Sequence, residues 1–329
     1  MFRMKPFLMK NYLAALALLT LFACNNDDDE GPSIPTTLAF EELTELPDIN
    51  LNQAPGFLGD ENSSTLIIAS RQFNPETGFD AEKIAKYDAS GNLISQIYFD
   101  QTDFVTKQLH IVNDELVVVG GLFVNKYDLD LNSAPESRPH LFSMSRFGSI
   151  AYQDEIYLWG GDLNEVFSDR MYKYDDDLGL FFELAQLPTP KTWAHGEVYD
   201  DRIYIFGGQQ EFQDTQPEDI IYVYDIGDTA VATLNLPRPV SRTFTASHNN
   251  LIYVAGQETD TDPETEDLDI FFGVYDPVNF TFTEIETDLS DDGFATVFGM
   301  TVLGDGLYVI YGEINNVTGL GYKLMRADL

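Results

Sequence analysis

The sequence predicts an all-β fold made of repeated four-stranded antiparallel sheets, and three observations carry that expectation. A short β-rich run ending in small residues recurs along the chain, a Tyr-Asp pair closes a further strand after each run, and turn residues stand between these markers. A repeat of this length decides the architecture before any single residue does.

The chain opens on a segment that is not part of the repeat. Arg3, Lys5 and Lys10 make a basic stretch, and Tyr12 to Ala23 make an apolar one too short to span a bilayer as a stable helix, the pattern of a signal peptide over residues 1–23. Leu21-Phe22-Ala23-Cys24 resembles the lipobox of bacterial lipoproteins, which implies diacylglycerol on the Cys24 thiol and cleavage just before it. Each buried methylene of an acyl chain contributes ~0.8 kcal/mol, so two or three chains hold a protein to a membrane where one would not. The alternative is an ordinary secreted protein with a stray Cys near its cleavage site. Cys24 is the only Cys in the chain, so the core holds itself together without disulfides.

Residues 24–36 then form an acidic tether. Asn25-Asn26-Asp27-Asp28-Asp29-Glu30 resembles the surface-export tether of lipoproteins in some Gram-negative bacteria, or is a solvated linker. The expected location is the outer membrane, held by lipid and facing the periplasm or the outside. Loss of residues 1–23 removes three basic and no acidic residues, leaving 15 Lys+Arg against 55 Asp+Glu, a net charge of −40. Such a surface repels phosphate backbones and anionic headgroups, which excludes nucleic acid as a partner.

Residues 37–329 hold the repeat. The first marker is TLIIAS (65–70), ELVVVGG (115–121), EIYLWGG (155–161), RIYIFGG (202–208), LIYVAG (251–256) and LYVIYG (307–312), runs suited to strands buried on both faces. The second marker is Tyr87-Asp88, Tyr127-Asp128, Tyr174-Asp175, Tyr224-Asp225 and Tyr275-Asp276, with Ala327-Asp328 in the sixth place. Successive Asp residues lie 40, 47, 50, 51 and 52 apart. Turn chemistry follows each Asp, whose carboxylate can accept a hydrogen bond from the backbone two residues on and close a hairpin. Another turn precedes most first markers, at Asn113-Asp114, Gln153-Asp154, Asp200-Asp201, Asn249-Asn250 and Gly304-Asp305-Gly306. Each unit thus holds strands a to d as a meander. One such sheet cannot bury both faces, whereas six arranged radially can, which is the β-propeller. The chain stops after strand c of the sixth unit, and LAFEELTELP (38–47) resembles a d strand that precedes no c strand of its own. Residues 38–47 are therefore expected to pair onto the last unit and close a six-bladed ring.

A double Gly after a β-run, a loop, then Tyr-Asp resembles the kelch repeat over nearly all of 38–329. Gly120-Gly121, Gly160-Gly161 and Gly207-Gly208 match the double Gly; Ala69-Ser70, Ala255-Gly256 and Tyr311-Gly312 depart from it, and the Trp usual in strand d is absent. The resemblance implies that the loops from b to c and from d to the next a surround the mouth of a central channel. It also places a basic residue and a His in the d-to-a segment, near Lys191 and His195.

On that face the d-to-a segments carry Arg146, Lys191, Trp193, His195, Arg238 and Arg242, a concentration of scarce basic and bulky residues. Either they form a polar pocket for a sugar or peptide with Trp193 as a stacking platform, or they pair with nearby acids. The b-to-c loop 258–269 carries Glu258, Asp260, Asp262, Glu264, Glu266, Asp267 and Asp269. Its alternating carboxylates could hold Ca²⁺, or it is a solvated loop, since it lacks the spaced Glu of a helix-loop-helix site.

Enzyme motifs are missing: no Gly-x-Ser-x-Gly elbow, no Gly-rich phosphate loop and no His-Glu-x-x-His occurs, and the four His have no ligand spacing. Galactose oxidases share the kelch fold, but their copper centre needs a Cys bonded to a Tyr, and Cys24 serves as the anchor. No cofactor is expected. The leading expectation is a membrane-anchored, non-enzymatic module that binds glycan or protein through the loop face. The alternative resembles the kelch-type sialic-acid mutarotases: ring opening needs only a positioned acid and base, here Glu211 or Glu197 with Arg242 or Lys191.

Overall fold

The computed structural model describes residues 34–46, 55–99, 107–139, 144–163, 166–210, 217–257, 270–289, 295–315 and 319–329. The signal segment, Cys24, Glu211 and the acidic loop 258–269 lie outside them. The described chain is an all-β propeller whose antiparallel blades are four strands deep.

Both sequence markers fall where a meander needs them. The β-rich runs are the second strands of their sheets: Thr65–Asn74, Glu115–Val119, Glu155–Leu163, Arg202–Phe206, Leu251–Gln257 and Gly306–Asn315. The third strands, Phe79–Asp88, Phe123–Asp128, Arg170–Asp175, Glu218–Asp225, Ile270–Asp276 and Gly319–Asp328, all end on the Asp of the second marker. Those carboxylates close the turns as the sequence suggests: Asp88 accepts from the Ser90 and Asn92 N–H at 2.9 Å, Asp225 from Gly227 and Asp228 at 3.0 Å, and Asp276 from Val278 at 2.8 Å. The turns before the second strands have two consecutive residues at positive φ: 52° and 62° at Asn113-Asp114, 51° and 62° at Gln153-Asp154, 49° and 57° at Asp200-Asp201, 50° and 64° at Asn249-Asn250. Two-residue hairpins require that geometry, and Asn and Asp tolerate it.

The sheets bury their faces against one another. Leu66, Ile68, Leu303, Tyr308, Ile310 and Leu324 form one cluster between the sheet of Gly56–Asp60 and that of Thr296–Leu303. Val117, Val119, Phe147, Leu158 and Tyr172 form another, between the sheets of Glu115–Val119 and Glu155–Leu163. The double Gly makes this approach possible. Gly160 and Gly207 have φ of 63° and 53°, and a Cβ on them would stand 2.1 Å from the Lys191 carbonyl oxygen and 2.2 Å from that of Val240. Both carbonyls belong to the segment leading into the next sheet, which also accepts hydrogen bonds from the Gly161 N–H at 2.7 Å and the Gly208 N–H at 2.9 Å. Only Gly meets both demands.

Three details differ from the sequence reading. In the fifth unit the register sets Ala255 opposite Phe244 as Trp159 is set opposite Gly148, so Gly256-Gln257 rather than Ala255-Gly256 takes the double-Gly place. The strand Val231–His248 is continuous, pairing with Glu218–Asp225 through its first half and with Leu251–Gln257 through its second, so two sets of four strands become one seven-stranded run. Of residues 38–47, Glu41–Glu45 pairs antiparallel with Gly319–Asp328, whereas Thr37–Leu38 pairs parallel with Glu286–Thr287.

The turn carboxylates make stability sensitive to acid. Hydrogen bonds from Asn92 hold Asp88 below its ordinary pKa, those from Ser133 and Asn132 do so for Asp128, and those from Asp228 and Gly227 for Asp225. A depressed carboxylate stabilises the fold above its unfolded pKa of about 4, and the contribution is lost as pH falls through the folded value. The melting temperature is thus expected to fall from pH 5 to pH 2.5, less steeply in a triple Asp→Asn variant at 88, 128 and 225, in which the acceptor no longer titrates. Parallel melting curves for the two proteins would contradict this.

Candidate functional site

Six strand segments face inward: Gly56–Asp60, Gln108–Val112, Met144–Tyr152, Gly196–Tyr199, the second half of Val231–His248, and Thr296–Leu303. They and adjoining residues line a central cavity of about 290 Å³. Neighbours along this series are joined by side-chain bonds. The His195 N–H donates to Thr243 Oγ1 at 3.0 Å, Trp159 Nε1 to the Ala194 carbonyl at 2.9 Å, and the Gly59 N–H to Thr301 Oγ1 at 2.8 Å.

At the mouth, three large residues hold equivalent places, two residues ahead of Gly148, His195 and Phe244. Arg146, Trp193 and Arg242 have φ of 57°, 55° and 47°, a region bulky side chains seldom adopt and one that concentrates at functional positions. Backbone bonds account for the kinks: the Trp193 N–H donates to the Arg146 carbonyl at 2.9 Å, and the Thr243 N–H to that of Trp193 at 3.0 Å. The guanidinium carbons of Arg146 and Arg242 lie 5.9 and 5.5 Å from the centre of the Trp193 ring, within cation–π range.

The two arginines differ electrically. Arg146 pairs with Asp162 at 3.0 Å; burial lowers its pKa against the opposing pull of that carboxylate. Arg242 is lowered by burial and by the charge of Arg146. It lies on the same Trp193 ring as that cation, and among the described residues no carboxylate forms an ion pair with it. A cation held beside a like charge without a counter-ion is poised for an anion.

Below the mouth the cavity wall is polar. The ring of His195 stacks on Phe244 with centroids 4.7 Å apart. Its Nδ1 bonds the Thr243 carbonyl, so Nδ1 carries the proton and Nε2 accepts from Gln108 Nε2 at 2.6 Å. His110 Nε2 lies 2.7 Å from Ser149 Oγ. Burial lowers both imidazoles to about 4, leaving them neutral near pH 7. Glu197 takes hydrogen bonds from Ser247 and Thr245, but loss of hydration outweighs them and pushes its carboxyl up to about 7.

Two residues expected at the mouth are engaged elsewhere. Lys191 is fully buried in an ion pair with Glu218; its ammonium also donates to the Gly207 carbonyl at 2.9 Å and lies 4.7 Å from the centre of the Tyr222 ring. It pins the segment leading into its sheet. Burial lowers its pKa, and the charge of Asp219 opposes that shift. Arg238 is half exposed and forks onto Glu284 at 2.5 and 3.1 Å. Ion pairs hold these two and also Arg146, but Arg146 assembles with Trp193 and Arg242 as well, and His195 lies two residues on from Trp193 in the cavity wall. Gln108, His110 and Ser149 escaped sequence reasoning, although a signal existed for Gln108. Counting back four residues from the last strand residue before each turn (Val112, Tyr152, Tyr199, His248) reaches Gln108, Gly148, His195 and Phe244, one level of the wall.

Lys191→Met leaves Glu218 buried without its cation, and removing one partner of such a pair costs about 3 kcal/mol or more. Urea unfolding is expected to show that loss, with most of it regained when Glu218→Leu is added. A single variant as stable as the parent would remove the pinning role.

No family model matches the chain. It is 29% identical over 139 residues, 40% of its length, to the "Kelch-like protein terF" of Aspergillus terreus, and the matched stretch spans 29% of that protein. Among solved structures, one described as "Structure of YjhT" matches with a TM-score of 0.61 at 14% identity, covering 86% of this chain and 99% of that one. The second likeness speaks for the fold alone, and together the two support a kelch β-propeller.

Proposed function

We propose that the chain is a binding module: a six-bladed kelch propeller, closed by the strand Glu41–Glu45 and tethered to the outer membrane through Cys24, that recognises an acidic glycan at its mouth. The ring is supported by the pairing of Glu41–Glu45 with the last strand and by the cluster shared between first and last sheets. The anchor is supported by the sequence Leu21-Phe22-Ala23-Cys24 alone.

One observation carries the ligand class. Arg146 and Arg242 stand against the ring of Trp193 in a chain of net charge −37, and Arg242 has no counter-ion among the described residues. An indole offers a flat apolar face to the C–H face of a sugar ring, and a guanidinium offers paired donors to a carboxylate or sulfate. The general acidity of the surface, which disfavours anions at long range, is reversed locally. Partner selection then rests on short-range pairing rather than steering.

On a glycan array the protein is expected to bind acidic glycans and to pass over their neutral counterparts. Trp193→Ala and Arg242→Ala should each weaken binding about tenfold, the loss of roughly 1.4 kcal/mol that a desolvated cation–π or charged contact contributes. Equal binding of neutral and acidic glycans, or no effect of either substitution, would overturn the reading. Cys24→Ser should move the protein from the membrane fraction to the soluble one, and continued membrane retention would remove the anchor.

A second reading, sugar mutarotation, is favoured by Glu197, whose carboxyl titrates near 7 where an acid–base group works best. Its partner would not be Lys191, which Glu218 occupies. Faster exchange between anomers, followed by NMR with and without protein, would select it over the binding module.

A further inference from the structure

The central cavity has a chemistry distinct from its mouth. Among the described residues its wall includes two carboxylic acids, Glu61 and Glu197, two histidines, His110 and His195, and no Lys or Arg. The side chains of Ser247 and Thr245 hydrogen-bond Glu197, so among the described residues the cavity holds an acid with no Lys or Arg in the wall to answer it. The imidazoles bring no positive charge either, since burial lowers both to about 4.

We propose that this cavity is a binding site for a small polyhydroxylated primary ammonium compound, with Glu197 as its counter-ion. The volume of about 290 Å³ lies at the small end of ligand pockets and takes a molecule of monosaccharide size. Hydroxyl and amide groups of Ser149, Ser247, Thr301 and Gln108 give hydroxyl-bearing ligands partners along the wall, and Phe57 and Phe244 line it as well. A net charge of −37 raises the local concentration of cations at any opening into the ring. The site does not depend on Arg146, Trp193 or Arg242, which do not line the cavity.

Proton linkage follows from the same geometry. Among the described residues the titratable groups lining the cavity are Glu61, His110, His195 and Glu197; burial keeps both imidazoles neutral near pH 7 and pushes the Glu197 carboxyl up to about 7. An ammonium within contact favours the ionised carboxyl, so binding expels the proton that Glu197 carries below about pH 7. Affinity therefore rises with pH and levels off above the carboxyl's pKa.

Glucamine, an open-chain amino polyol protonated throughout this range, and sorbitol, its neutral counterpart, separate charge from shape. Calorimetric titration of the intact protein is expected to show glucamine binding at least tenfold tighter than sorbitol at pH 8. From pH 8 to pH 6 glucamine should weaken about tenfold, the factor a carboxyl titrating near 7 imposes. Glu197→Gln, near-isosteric, should abolish both the preference and the pH dependence while keeping the parent melting temperature. Trp193→Ala should leave glucamine binding intact, so failure of the acidic-glycan reading and failure of this one are told apart. Equal affinity for glucamine and sorbitol, no glucamine binding by well-folded protein, or unchanged glucamine binding in Glu197→Gln would overturn the proposal. If Glu197→Gln does not fold, the comparison on the parent protein decides by itself.

Discussion

Close approach of neighbouring sheets is the constraint on which the rest of this structure depends. A four-stranded antiparallel sheet has two faces and cannot cover both by itself, and here the covering surface is always another sheet. Apolar clusters such as Leu66, Ile68, Tyr308 and Ile310 lie between sheets rather than within one. The backbone of one unit must therefore touch the segment leading into the next, and the carbonyls of Lys191 and Val240 reach Gly160 and Gly207 where any side chain would block them. Once these contacts form, the positions of the inward-facing strands are set, and with them the cavity and its mouth.

The same contacts explain why large residues stand in a strained backbone region at the mouth. Arg146, Trp193 and Arg242 share a left-handed kink in which the carbonyls of Arg146 and Trp193 serve the neighbouring segment, and the side chains of the three meet. Strain of this kind persists only where surrounding structure over-determines it. Two environments of opposite character result, a cationic aromatic group at the mouth and, among the described residues, a cavity wall without Lys or Arg.

Much of this was legible in the sequence because it rests on local chemistry. The Tyr-Asp markers end their strands on the Asp since a carboxylate can bond nearby backbone N–H groups whatever the rest of the chain does, and Asn-Asp or Asp-Asp pairs accept positive φ for the same local reason. The mouth was legible only in part. Lys191 and Arg238 carry the same charge as Arg146 and lie in comparable segments, yet one is buried on Glu218 and the other forks onto Glu284. Side-chain type and spacing cannot tell which cation meets the Trp193 ring and which is drawn away, because the pairing acid comes from another strand. The shift of the double-Gly frame to Gly256-Gln257 was hidden similarly, since only strand register shows which residue stands opposite Phe244.

By itself the sequence determined the repeat, the order of strands within each unit, the turns that join them and the overall acidity, all properties of contiguous residues and their periodicity. Tertiary structure decided which basic residues meet an aromatic ring, which are spent on ion pairs, and that Gln108 reaches His195. Those outcomes depend on distances between strands far apart in the chain, and such distances exist only after the sheets have packed.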